Sequence, residues 1–222
     1  MTGRNLRVTG TGNLNLTPDL MIVSVEVCGL AKEYADALQL SVDTTEKIKA
    51  AVKKAGGDPS KVKTESFDVS PEHEHFEEFL DNIKTHKQRI VGYGFNHRLK
   101  YEFDSDKEML SRILYEISKS KTNPYIRISY AVKDKEKAKN DLLGKAIEDS
   151  KTKAGIIAKT AGVRLKEIES IDYSWGHINF EYTPIDSLHC DEYYDDEAGM
   201  PLDINPDDIS LKDSVTVVWS IE

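Results

Sequence analysis

The sequence predicts an α+β fold: two small α/β-sandwich units with antiparallel or mixed sheets and helices packed on one face. Three observations carry this. Alternating apolar and polar residues mark strands near both ends, at Met21–Val27 and Val215–Trp219. Stripes at helical spacing lie between them, closed by glycine or proline. Strands also follow one another directly at the two ends, which a doubly wound parallel sheet would not do.

The first element is Val8-Thr9-Gly10-Thr11-Gly12, followed by Thr17-Pro18-Asp19 and a second alternating strand. It reads as a strand end, a glycine-hinged connection and a Pro-Asp turn, because proline cannot sit inside a sheet. Gly10-x-Gly12 invites a phosphate-loop reading, which fails. A dinucleotide fingerprint needs a third glycine and a helix directly after it, and a strand follows here. From about Glu33 to Ala55 a stripe of Ala37, Leu40, Ser41, Thr44, Ile48, Ala51, Val52 and Ala55 predicts a helix, stopped by Gly56-Gly57-Asp58-Pro59. Val62 to Val69 returns to an extended pattern, and residues 71–87 read as a polar, acidic linker.

Arg89 to Phe103 predicts a long strand. Ser105 then caps a helix whose stripe is Met109, Ile113, Leu114 and Ile117. Tyr125 to Tyr130 alternates as a strand. Asp134 caps the longest helix, with an inward row of Ala138, Leu142, Ala146, Ser150, Ala154, Ile157 and Ala161. So many small residues in one row imply close approach to a sheet or another helix. Gly162 ends it, Leu165 to Tyr173 forms a strand, and an acidic, aromatic-containing stretch over 176–212 precedes the last one. The domain reading is a ββαβ unit over 1–84 and a β-α-β-α-β unit over 85–222. The second contains the acidic insertion 176–212 and a final strand, 214–221, free to pair back with the first unit.

Composition narrows the function classes. The 222 residues hold 30 Lys plus Arg against 39 Asp plus Glu, a net charge of −9. A nucleic-acid partner would need concentrated positive charge, so none is expected. Lys47, Lys49, Lys53 and Lys54 fall on the solvated face of a helix. No apolar run reaches the ~20 residues of a membrane span, and the N-terminus shows no signal-peptide core. With only two cysteines, Cys28 and Cys190, the expectation is a reduced, cytoplasmic setting.

The set of motifs resembles the SIMPL-domain family, bacterial proteins of unknown function. The matching pieces are Val8 to Gly12 with Pro18-Asp19, the Ala31-to-Ala55 helix closed by Gly56, and Val62-x-Thr64 with the strand ending Ser70-Pro71. Ile90-Val91-Gly92-Tyr93 with Asn96 follows, then the helix carrying Ala146, Lys153, Ala154 and Ala158, closed by Gly162. Relatives include a periplasmic immunogenic protein and an oxidative-stress-linked protein. The resemblance implies a two-part α+β fold that self-assembles, one relative being ring-shaped or channel-like, with no established enzymatic activity and no cofactor. The chain departs from many relatives in lacking a signal segment and in its acidic insertion around Asp186 to Asp208.

Candidate sites are few. Glu72-His73-Glu74-His75, with Glu77 and Glu78, puts two imidazoles on one side of a strand, a pattern suited to Zn or Ni; His86 is near in sequence. The plain alternative is a solvated linker. The 186–197 acidic loop, with His189-Cys190-Asp191-Glu192, offers nitrogen, sulfur and oxygen ligands without the offsets of a calcium loop. Acidic neighbours dull Cys190 as a nucleophile. Tyr93 and Asn96 read as local structure, Asn96 satisfying a backbone group. Trp175, Phe180, Tyr182, Tyr193 and Tyr194 suit a subunit contact or packing on their own domain. No catalytic constellation is recognised. The leading expectation is a non-catalytic, self-assembling, stress-related protein; the alternative is a metal- or small-ligand-binding module built on His73 and His75 or on the acidic loop.

Overall fold

The computed structural model describes residues 4–80, 83–173, 178–189 and 205–222. In chain order the elements are β1 (Asn5–Leu16), β2 (Leu20–Ala31), α1 (Tyr34–Lys54), β3 (Lys63–Leu80), β4 (Ile83–Asp104), α2 (Lys107–Ser118), β5 (Tyr125–Ala131), α3 (Lys135–Ala161), β6 (Leu165–Asp172), β7 (Glu181–His189) and β8 (Ile209–Ile221). They form two antiparallel sheets, ordered β1-β8-β6 and β3-β4-β2-β5-β7, so the α+β class expected above is the observed one. The chain divides into two compact units, one of residues 1–19, 131–182 and 206–222, the other of 20–130 and 183–205. A cut at residue 84 would instead fall inside the β3–β4 hairpin, whose strands pair from Lys63↔Lys100 to Leu80↔Ile83.

In the three-stranded unit, β1 pairs with β8 along its whole length, from Asn5↔Ser220 to Leu16↔Ile209. The strand runs unbroken through Gly10 and Gly12, which corrects the glycine hinge. The reason is α3, which lies directly on β1. A Cβ at Gly10 would overlap the Ala146 carbonyl and stand 2.7 Å from Ser150 Cβ; one at Gly12 would overlap the Leu142 carbonyl. Glycine on the strand thus meets Leu142, Ala146 and Ser150 on the helix, all fully buried, and Ala154 continues the buried row. The row continues through Ala158 rather than Ile157, which is exposed. Asp134 caps α3 by accepting from the Lys137 amide at 2.8 Å, and Gly162 closes it in the left-handed region at φ +70°.

Lying at the sheet's end, β1 has a backbone edge that no strand covers among the described residues. Side chains of α3 occupy it: Lys153 donates to the Thr9 carbonyl (3.4 Å), Asp149 accepts from the Thr11 amide (2.7 Å) and Lys145 donates to the Asn13 carbonyl (3.3 Å). These are alternate residues, as the outward-facing groups of an antiparallel edge must be. Pairing with Lys153, then the Thr11 amide, holds the Asp149 carboxyl below its ordinary range. An edge treated this way cannot recruit another strand.

The larger unit packs α1 and α2 on one face of its sheet. Met21, Val23, Val25 and Val27 of β2 alternate inward against Ile48, Val52, Leu110, Ile113 and Ile117. Asp106, not Ser105, caps α2, since its carboxylate accepts from the Met109 amide at 3.0 Å. Ser66 to Glu72 extend the sheet, and of the segment read as a linker at 71–87, residues 71–80 and 83–87 belong to strands. β4 pairs with β2 only from Tyr93 to Asp104. Beyond that point β3 and β4 have each other as their sole strand partners among the described residues, and form a two-stranded arm.

Candidate functional site

The arm leaves the sheet at a bulge. Glu72 pairs with Gly92 and His73 with Ile90, so Val91 is the extra residue. Gly92 serves close approach, since a Cβ there would come to 2.5 Å from the Ala31 carbonyl oxygen; one at Gly94 would come to 2.8 Å from a Glu72 carboxylate oxygen, the movable end of a side chain. Glu72 therefore lies across Gly94. Beside Gly94, the sheet face opposite α1 holds an open depression of about 770 Å³. Asp68, Glu72 and His73 from β3 line it, with Cys28 and Leu30 from β2 and Asn96 from β4.

Next to the depression runs a polar row across the sheet. Glu26 of β2 pairs with Arg98 of β4 at 2.9 Å and accepts from the Asn96 amide. The Asn96 bond first and the Arg98 bond second hold the Glu26 carboxyl below its usual range, with Arg127 of β5 adding to them. Asn96 thus serves a neighbouring strand's carboxylate rather than a local backbone group. Cys28 sits opposite Asn96. Partial burial, then the Glu26 charge, raises its thiol, and a thiol kept protonated is a poor nucleophile.

The other face holds His97, one residue from Asn96 and so pointing the opposite way. Its Nδ1 lies 3.0 Å from the Ser41 hydroxyl and 3.1 Å from that of Thr45, and its Nε2 lies 2.9 Å from the Thr64 hydroxyl. The Phe67 ring meets it edge-on at 4.9 Å. A neutral ring, donating from one nitrogen and accepting at the other, fits these hydroxyls. Burial, then Lys49, depresses its pKa. The sheet therefore separates this imidazole from the Cys28 thiol.

Of the expected ligands, His73 lines the depression and His75 is exposed further along the arm. Glu74 is engaged by Arg89, at 2.9 and 2.7 Å. Backbone pairing sets His86 against Glu77. His189 ends β7, while Cys190 and the rest of the loop through 197 lie outside the described residues, as do Trp175, Tyr193 and Tyr194. Among the described residues no group of three His, Cys, Asp or Glu is gathered as a metal site, and no helix is long and apolar enough to cross a membrane.

The SIMPL model, described as a protein of unknown function (DUF541), matches residues 6–219, nearly the whole chain. The chain belongs to the SIMPL family. A search of curated proteins finds no match to it. The match to the SIMPL model spans both compact units, so it covers the glycine–small-residue seam as well as the depression and the arm's root. Sequence reasoning missed the Glu26–Asn96–Arg98 row and His97. The signal was the run Asn96-His97-Arg98 in an alternating strand, but only the β2–β4 register supplies Glu26 as its partner.

Proposed function

We propose that this SIMPL protein is non-catalytic and works as a self-assembling binding protein. The observation that carries this reading is the arm, residues 73–80 and 83–90. Among the described residues both of its backbone edges are open, and exposed apolar side chains gather at its root: Leu30 (58% exposed), Ile90 (54%), Tyr34 (50%) and Val91 (44%). Leu30 lies close to Gly92, and Tyr34 packs edge-on against Tyr93 with centroids 5.7 Å apart. An isolated two-stranded ribbon is marginal in water, and open edges beside apolar residues are the features partners cover. Support for a non-catalytic role comes from the chemistry nearby, where the Cys28 thiol is held protonated and His97 is on the other face. Light scattering coupled to size exclusion tests the assembly. A multiple of the 25.0 kDa chain mass is expected, and a monomer over a wide concentration range refutes it.

A second reading is favoured by the depression itself, in which Asp68, Glu72 and His73 offer oxygen and nitrogen donors beside the apolar Leu30. The ligand would be a cation or a small amine. Calorimetry with Zn and with Ni, on the wild type and on a His73→Ala/His75→Ala variant, tests the metal form. Heat that is absent, or unchanged by the substitutions, removes that form.

A further inference from the structure

We infer that the depression at the arm's root holds a linear aliphatic diamine, laid along β3 with one ammonium group on Asp68 and the other on Glu72. This rests on the second reading above, a cation held in the depression, and names the kind of cation. From Ser66 to Glu72 β3 keeps an unbroken register against β4, from Ser66↔Arg98 to Glu72↔Gly92. Strand side chains alternate, so Asp68, Ser70 and Glu72 share the face on which the depression opens, and all three line it. Glu72 leans over Gly94, whose partner on β3 is Ser70. Its charge therefore stands about two residues, ~7 Å, along the strand from Asp68. Ser70 lies between them in the strand, its hydroxyl an acceptor for either ammonium.

Charge, spacing and lining select this ligand. No Lys or Arg lines the depression, and the cations nearest to it are committed, Arg89 to Glu74 at 2.7 Å and Arg98 to Glu26 at 2.9 Å. Among the described residues Asp68 and Glu72 have no ion-pair partner, so an anionic or neutral ligand would leave both charges uncompensated. One metal ion would need its ligands to converge at about 2.0–2.6 Å. The two carboxylates do not, and among the described residues no group of three His, Cys, Asp or Glu does. Two cationic ends held apart by a chain match the separation instead. The middle of such a chain is apolar, and so is the flank of the depression, where Leu30, in register with Gly94, and Val91 are 58% and 44% exposed. A methylene chain laid there removes apolar surface from water on both sides. The volume of about 770 Å³ falls in the range of small-molecule sites, roughly 300–1,000 Å³.

The test is calorimetry on the full chain with cadaverine, long enough to span the two carboxylates, with ethylenediamine, too short to do so, and with Zn. Wild type is expected to bind cadaverine about tenfold or more tightly than ethylenediamine, the difference of one charge-assisted contact. Asp68→Asn/Glu72→Gln should weaken cadaverine by at least as much, while His73→Ala/His75→Ala leaves it unchanged. Both carboxylates are exposed, and circular dichroism checks that the variants fold. Glu167→Gln/Glu169→Gln, on exposed positions of β6, controls for general attraction to a chain of net charge −9 and should bind as the wild type does. Equal weakening by the two carboxylate pairs, or equal affinity for the two diamines, would overturn the inference. Zn heat that is lost with His73 and His75, beside no heat from cadaverine, would overturn it and leave the cation reading standing. No heat with any of the three would remove both.

Discussion

Replacing Gly10 by Ala tests the β1–α3 seam, which organises the smaller unit. The added Cβ would overlap the Ala146 carbonyl and stand 2.7 Å from Ser150 Cβ. Carbon atoms rest at about 3.5–4.0 Å, so the helix must withdraw by about 1 Å. The obstructing atoms are backbone and the short Ser150 side chain, which has no flexible end to swing away. Overpacking of this kind costs about 1–3 kcal/mol, and a seam this unyielding belongs at the upper end, near 3 kcal/mol. At about 2–4 °C per kcal/mol for a chain of this size, the melting temperature falls by roughly 6–12 °C. Circular dichroism melting measures this, with Gly155→Ala as the control. Gly155 is on the same helix with nothing within 4 Å of its would-be Cβ, so there alanine should gain up to about 1 kcal/mol. A Gly10→Ala protein that melts like the wild type, or a control that is equally destabilised, refutes the close-approach argument.

Other outcomes follow from the same contacts. His97 has a depressed folded pKa, so its stabilising effect is full above the unfolded value of about 6.5 and is lost as pH falls through the folded one. Urea midpoints between pH 7.5 and 5.5 should fall less steeply in His97→Gln than in the wild type. Glu26 is also depressed, from 4.5; its contribution is complete above that pH and disappears only as acid takes the pH through its lower folded value. Acid unfolding of Glu26→Gln should therefore begin with a shallower slope. Asp149→Ala removes the acceptor of the Thr11 amide, and hydrogen exchange at that amide should accelerate while the Gly10 seam stays protected. Glu74→Gln, which breaks the exposed pair with Arg89, should change the unfolding free energy read from urea titration by about 1 kcal/mol or less, because an exposed ion pair contributes little.

Much of the fold was legible because local signals agreed with tertiary ones. Asp134 and Gly162 bound α3 as expected, and its small-residue row announced a close partner. Which partner was not legible: the two glycines that match the row are more than a hundred residues away, and a strand's glycines look alike whether they bend it or make room. The 71–87 stretch misled for a related reason. Glu72 to His75 lack the apolar alternation of a half-buried strand because all four residues are exposed, on both faces of the ribbon, where the Arg89–Glu74 ion pair links the two strands. The candidate site was visible only in pieces. His73 was singled out as a metal ligand, whereas its neighbours in the depression, Cys28 and Asn96, come from strands whose register no local pattern encodes.

The central claim, that this SIMPL protein assembles through its arm, is met most directly by the solution mass of the wild type beside a chain lacking residues 73–90, closed by a short turn. The account predicts a multiple of 25.0 kDa for the first and a folded monomer for the second. Equal assembly of the two, or a wild type that stays monomeric at every concentration, would contradict it.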